Sequence, residues 1–242
     1  MPDHIVSAFD ADLGELRRGI AEMGGIAEKM LSDATSALVR DHAGLARGVI
    51  ADDPRLDDLQ RLIEERGILT IARRQPLAVD LREVIAALRI ASDLERAGDL
   101  AKNVAKRVIA TTGQAHPKSA VIGVQHMSDL ALAQLHDVLD AFAGNDVEAA
   151  LAVWRRDGAI DAMNNSLFRE LLTYMMEDPR SISFCTHLLF CAKNIERIGD
   201  HTTNIAETIH YLVKGEPLAG ERPKDDRSSF VVVEPAQGVT QP

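Results

Sequence analysis

The sequence predicts an all-α protein built from two similar antiparallel three-helix bundles, six long helices in all. Three observations carry that prediction. Apolar residues recur at steps of three and four through most of the chain, the stripe of an amphipathic helix. Aromatics are only 4% of residues, Ala and Leu are abundant, β-branched runs are few and there are 9 prolines, which favours helix over strand. Finally, the stretch "DLERAGDLAKNVAKRVI" from Asp93 is written again, 101 positions on, as "NIERIGDHTTNIAETIH" from Asn194. An internal repeat of that length states the architecture before any single element does.

The first helix, roughly Asp3 to Asp41, lines up Phe9, Leu13, Leu16, Ile20, Met23, Ile26 and Met30. The second runs from about Ala43 to Arg74 with Leu45, Val49, Leu56, Leu59, Ile63 and Leu69 in its stripe; Pro54 inside it is expected to start or kink a segment. "RRQPLAVD" breaks the pattern, because the residue before Pro76 avoids α geometry. The third helix spans about Leu81 to Thr112 and stops near Gly113. "TTGQAHPKS" supplies a linker.

The pattern then repeats. A fourth helix covers about Ser119 to Ala143, and "GND" at Gly144 to Asp146 ends it and caps the next. A fifth is expected without interruption from Val147 to Met176, a break at "EDPRS", and a sixth from Ile182 to Lys214, ending at Gly215. Each is near 30 residues, roughly 45 Å long. The expected organisation is a first bundle over 1–113, a linker at 114–118, a second bundle over 119–215 and a tail over 216–242. That tail is rich in Pro, Gly and charge and is expected to be mostly disordered, its "FVVV" apart.

Composition narrows the function classes. A chain of 242 residues, 46% hydrophobic and 26% charged, can bury a sizeable core. The formal net charge is -10 with no basic stripe, so nucleic acid and anionic membrane surfaces are poor direct partners. No apolar run reaches the length of a membrane span, and the N-terminus lacks the pattern of a signal peptide. Cys185 and Cys191, six apart, fall on different helix faces and are expected as core residues in a reducing compartment, not as a disulfide.

The repeat carries acids in pairs. Glu95 and Asp99 share a helix face, as do Glu196 and Asp200. The preceding helix of each half carries another such pair, Asp53 with Asp57 in "DPRLD" and Asp157 with Asp161 in "DGAID". Asp57 to Glu95 spans 38 positions and Asp161 to Glu196 spans 35, so in both halves the two pairs sit at similar heights on neighbouring antiparallel helices. Like charges four apart cost a helix a few tenths of a kcal/mol each. Four repulsive pairs in register call for positive charge, and two readings stay open. Arg96 and Arg197 could bridge to carboxylates on a neighbouring helix, or the oxygens could bind a hard cation such as Mg, Mn, Ca or ferric iron. His201 is a candidate extra ligand, although its counterpart is Leu100.

Gly98 and Gly199, mid-helix in both copies, point to close helix crossings, and Asn103 and Asn204 to hydrogen bonds between helices. Met23, Met30, Met163, Met175 and Met176 lie at core spacings. The chain has no Gly-rich phosphate loop, no GxSxG and no HExxH. The Glu207-to-His210 ExxH has Lys106 and Ile109 at its partner positions, which excludes a di-iron four-helix site.

These residues resemble the PhoU family across about 5–215. The carriers are "PLAVDLREVIAALRIASDLERAGDLAKN" and "FCTHLLFCAKNIERIGDHTTNIAE", with "DDPRLDDL" and "RRDGAIDAMN" upstream. The resemblance implies six helices in two like bundles and metal ions held through [ED]xxxD pairs, of which iron, manganese, magnesium and zinc are all candidates. Asp53, Asp57, Glu95 and Asp99 would form one site; Asp157, Asp161, Glu196 and Asp200 would form the other. It further implies a cytoplasmic, often dimeric, negative regulator of the phosphate-starvation response, linking the ATPase of the phosphate transporter to a sensor histidine kinase. The "DLR" at Asp80 to Arg82 has no match in the second half. The alternatives are a metal-dependent phosphate-ester hydrolase and a purely structural helical scaffold.

Overall fold

A computed structural model describes residues 2–114 and 118–220, with side chains from residue 9 onward. Among the described residues all regular structure is helical. The elements are α1 (Pro2–Val39), α2 (Ala43–Arg74), α3 (Val79–Thr111), α4 (Lys118–Gly144), α5 (Val147–Arg155), α6 (Asp157–Glu177), a 3₁₀ turn at Pro179–Ser181, and α7 (Ile182–Lys214). Most of the expected linker, and the "FVVV" tail, lie outside the described residues.

Most of the stripe residues read from the sequence face the interior, but Leu69 of α2 is 46% exposed and lies off the buried face. Leu16, Ile20, Met23, Met30 and Leu31 of α1 and Leu56 and Ile63 of α2 are sealed against Ile90 and Leu94 of α3. In the second half Met127 and Leu135 of α4, Ile160 of α6 and Ile195 and Ile198 of α7 do the same. Cys185 and Cys191 are buried and unbridged; burial pushes the Cys191 thiol up to about 12, against a weak opposing pull from Arg107. Met176 departs from the expected core: at the end of α6 it is 64% exposed.

Two expectations are corrected. Pro54 neither starts nor ends a segment; α2 runs through it unbroken, and the exposed ring has solvent on its side of the helix. The expected fifth helix is two. At Arg156 the backbone takes φ -88 and ψ -1, and its N–H bonds back only three residues, to the Val153 carbonyl at 3.0 Å. The Arg156 carbonyl accepts the side-chain amide of buried Gln134 at 3.0 Å, and the Ala159 N–H at 3.1 Å. A helix carbonyl drawn to a partner on α4 no longer needs its ordinary ladder, so α5 stops and α6 starts at Asp157.

α3 and α7 pack antiparallel at the centre. Asp93 accepts from Asn204 at 3.3 Å and meets His201 at 2.9 Å, while Arg107 stacks on Phe190 with 4.0 Å to the ring centroid. α1 meets α4 in the same sense, with the hydroxyls of Thr35 and Ser128 paired in the interior at 2.7 Å. The remaining helices flank this centre, α2 against α1 and α3, and α5 and α6 against α4 and α7. The two Glu-Arg-x-Gly-Asp stretches therefore lie near each other in mid-bundle, each backed by the acidic helix of its own half.

Candidate metal centres

In the first half the acids project from the crossing of α2 and α3. The crossing is close because Gly98 has no side chain: a Cβ there would lie 2.2 Å from Cδ2 of Leu56, the residue just before Asp57. The second half repeats this, with a Cβ on Gly199 falling 2.7 Å from Cδ1 of Ile160, the residue before Asp161. The paired glycines thus bring Glu95 and Asp99 up to Asp53 and Asp57, and Glu196 and Asp200 up to Asp157 and Asp161, as a repeated device.

The first set is electrostatically coupled. Burial raises the Glu95 carboxyl above its ordinary range, repulsion from Asp99 adds to this, Arg96 opposes it, and Asp57 and Asp53 contribute further. Burial likewise raises Asp57, with repulsion from Asp53 and Asp99 added and attraction from Lys102 against it. Sequence reasoning missed Lys102. Its ammonium donates to Asp53 at 2.7 Å and to Asp99 at 2.5 Å. Burial alone would lower its pKa, but the two bonds and the charge attraction of both carboxylates together outweigh that and carry it up to about 12. Arg96, the cation expected to bridge, stays on the surface, 3.7 Å from neighbouring Glu95.

The second set is more deeply placed: Asp157, Asp161 and Glu196 are each 4% exposed or less. Asp157 accepts from the Thr203 hydroxyl at 2.9 Å, and Lys193 reaches Glu196 at 2.9 Å from the rim. These acids engage further polar or electrostatic partners. Asp157 is the first residue of α6, so the break at Arg156 places it at a helix N-terminus. His201 turns away to Asp93 on α3 and Glu207 accepts from the Trp154 indole at 3.0 Å; neither joins the acids.

The donors suit a hard cation: both sets are carboxylates, and in the first a Lys ammonium already lies between two of them as a stand-in positive charge. As they stand, no three His, Cys, Asp or Glu side chains among the described residues gather closely enough to hold an ion, so holding one at either set would require side-chain rotation. A groove of about 640 Å³ opens elsewhere, between Arg89 and Asp93 on α3, Trp154, and Asn204 and Tyr211 on α7. None of the eight acids lines it.

Fold and sites together define a tandem repeat of one helical domain, each copy presenting two acidic pairs beside a glycine-based crossing. The PhoU domain model matches residues 20–108 and again residues 124–209. A relative from Rhizobium meliloti (strain 1021), named phosphate-specific transport system accessory protein PhoU homolog, is 59% identical over 226 residues, covering 93% of this chain and 95% of the relative. A Caulobacter vibrioides (strain NA1000 / CB15N) protein of the same name is 50% identical over 227 residues, 93% of this chain and 98% of its own. The crystal structure of PhoU from Pseudomonas aeruginosa superposes with a TM-score of 0.83 at 39% identity, covering 86% of this chain and 100% of that one. The phosphate transport system regulatory protein PhoU from Streptococcus pneumoniae gives a TM-score of 0.81 at 30% identity, over 87% and 99%. The chain belongs to the PhoU family.

Proposed function

We propose that this protein is a non-enzymatic, cytoplasmic negative regulator of the phosphate-starvation response. It acts as an adaptor between the ATPase of the phosphate transporter and a sensor histidine kinase, also modulates phosphate uptake, and works as a homodimer. The observation that carries the reading is the match to proteins named as phosphate-specific transport accessories, over nine-tenths of both partners. Long packed helices that present surfaces suit an adaptor, and no described helix is long and apolar enough to cross a membrane.

Cations belong to the same reading. Asp53, Asp57, Glu95 and Asp99 would hold one ion site and Asp157, Asp161, Glu196 and Asp200 the other. A bound cation would supply positive charge that relieves the repulsion within each set. Iron, manganese, magnesium and zinc are the candidates. Hydrolysis is the weaker alternative, because the groove between α3, Trp154 and α7 does not open on the acids.

The test is a phosphate-starvation reporter in excess phosphate, in cells lacking the gene and in cells restored with it. The reporter is expected on without the gene and off with it; a reporter that ignores the gene overturns the regulator reading. Turnover of a phosphate ester by purified protein, lost with Asp99→Ala, would instead establish the hydrolase.

A further inference from the structure

Lys102 lies three residues beyond Asp99 and seven beyond Glu95, so its stem runs along the helix face that carries both acids. Its ammonium spans two helices, taking Asp53 of α2 and Asp99 of α3 together, and its side chain is only 18% exposed. An ammonium is a compact point charge with three donors. Held between two carboxylates of a set of four, it stands where a bound cation would stand.

The internal repeat shows what the position does without that charge. The counterpart of Lys102 is Thr203, whose neutral hydroxyl donates to Asp157, the counterpart of Asp53, at 2.9 Å. The second half brings a lysine to its acids from elsewhere. Lys193, at the position equivalent to Ser92, reaches Glu196 from the rim with its side chain 44% exposed. One backbone arrangement therefore carries two different internal donors at one point of the site.

We propose that Lys102 is a built-in counter-ion that competes with metal for the first carboxylate set. It satisfies Asp53 and Asp99 in the metal-free protein and must swing toward solvent before they can ligate an ion. The long flexible stem makes that exchange possible, and the two sets are consequently not equivalent cation sites. This rests on the proposal that the acids bind cations, and adds the residue that sets the affinity of one site.

The experiment is a Mn²⁺ titration of the full chain, followed by calorimetry and by loss of the free-ion EPR signal. Lys102→Thr installs the residue that the second half carries. It is expected to tighten one class of Mn²⁺ site by about tenfold to a hundredfold, the strength of the charge-assisted bonds the metal no longer has to displace. Lys102→Arg, which keeps the charge, is expected to give no tightening. Adding Glu95→Ala and Asp99→Ala to Lys102→Thr should abolish the tightened site. In EDTA, Lys102→Thr should lower the Tm, and Mn²⁺ should restore it. If threonine unfolds the metal-free chain, Lys102→Met, which keeps the apolar stem, carries the same titration.

Wild-type affinity in the threonine or methionine variant, at a site that Glu95→Ala and Asp99→Ala remove, overturns the counter-ion and leaves the cation site standing. If removing Glu95 and Asp99 changes no Mn²⁺ binding in either background, the cation reading of the first set fails, and the counter-ion proposal with it.

Discussion

Gly98 occupies a point where a methyl group has no room. The nearest atom to an added Cβ is Leu56 Cδ2 at 2.2 Å, and Leu56 is 1% exposed, so it cannot step aside into solvent. Gly98→Ala is expected to destabilise by about 1–3 kcal/mol through overpacking, despite alanine's better helix propensity. Gly48, on the exposed side of α2 with nothing within 4 Å, is the control. There the same change should stabilise by about 0.5–1 kcal/mol. Urea denaturation of both variants, and of Gly98→Ala combined with Leu56→Ala, reads the contrast. Recovery in the double variant would place the cost at this contact. The acids beside the crossing make a second residue-level prediction. A carboxyl whose folded-state pKa is raised contributes stability below its unfolded pKa, and that stability is lost as pH rises through the folded value. Glu95 and Asp57 are both raised, by burial first and by repulsion from the other acids next. In metal-free protein, Glu95→Gln should therefore raise the Tm near pH 7. The gain should vanish at about pH 4 and below, where glutamate is protonated in both states. Melts at the two pH values in EDTA check this, and an unchanged difference between them would count against repulsion within the set.

At the scale of the helix, α2 and the α5–α6 break behave in opposite ways, and neither follows from local sequence. Proline in a helix interior removes one backbone donor and costs about 3 kcal/mol, yet α2 passes through Pro54 because the stripe from Ala46 to Thr70 is buried on both sides of it. Pro54→Ala is expected to raise stability by about 1–3 kcal/mol, read by thermal denaturation. The α5–α6 break has no proline; its cause is Gln134, far away on α4, which takes the Arg156 carbonyl. The other amide atom, Oε1 of Gln134, has no partner among the described residues, so replacing the whole amide with Met is expected to cost only about 1 kcal/mol. Six long rods, the repeat and the paired acids were legible because periodicity and spacing are local properties. The Arg156 break and the Lys102 bridge were not, because each depends on which helix lies alongside. Lys102 stood at a visible i+3 spacing from Asp99, but its reach to Asp53 exists only once α2 and α3 cross at Gly98. Arg96, adjacent in sequence, was the more obvious bridge, yet adjacency on a helix turns a side chain toward a different face.

On the scale of the molecule, each half resembles a bundle that could stand by itself, but their packing makes them one body. α3 and α7 join through Asp93 with His201 and Asn204, through Arg82 donating to the Leu212 carbonyl at 3.3 Å, and through the stack of Arg107 on Phe190. α1 and α4 join through Thr35 with Ser128 and through Arg17, 5.7 Å from the centroid of the Phe142 ring. The buried residues of both halves belong to one hydrophobic cluster. Residues 1–113 and 119–215, made separately, would each expose the apolar flank that the other covers. Each is then expected to aggregate or to lose fixed side-chain packing while staying partly helical. The full chain should unfold in one calorimetric transition, with calorimetric and van't Hoff enthalpies equal. Asp93→Ala, which strips His201 and Asn204 of their acceptor, should lower that single Tm without splitting it. Two resolved transitions in the intact chain, or a first half that melts cooperatively by itself, would show that the halves fold independently. The repeat would then be two domains in contact. If the single transition holds, ion loading in either half acts on the stability of the whole, since the helices that carry Glu95 and Glu196 are the two that pack against each other at the centre.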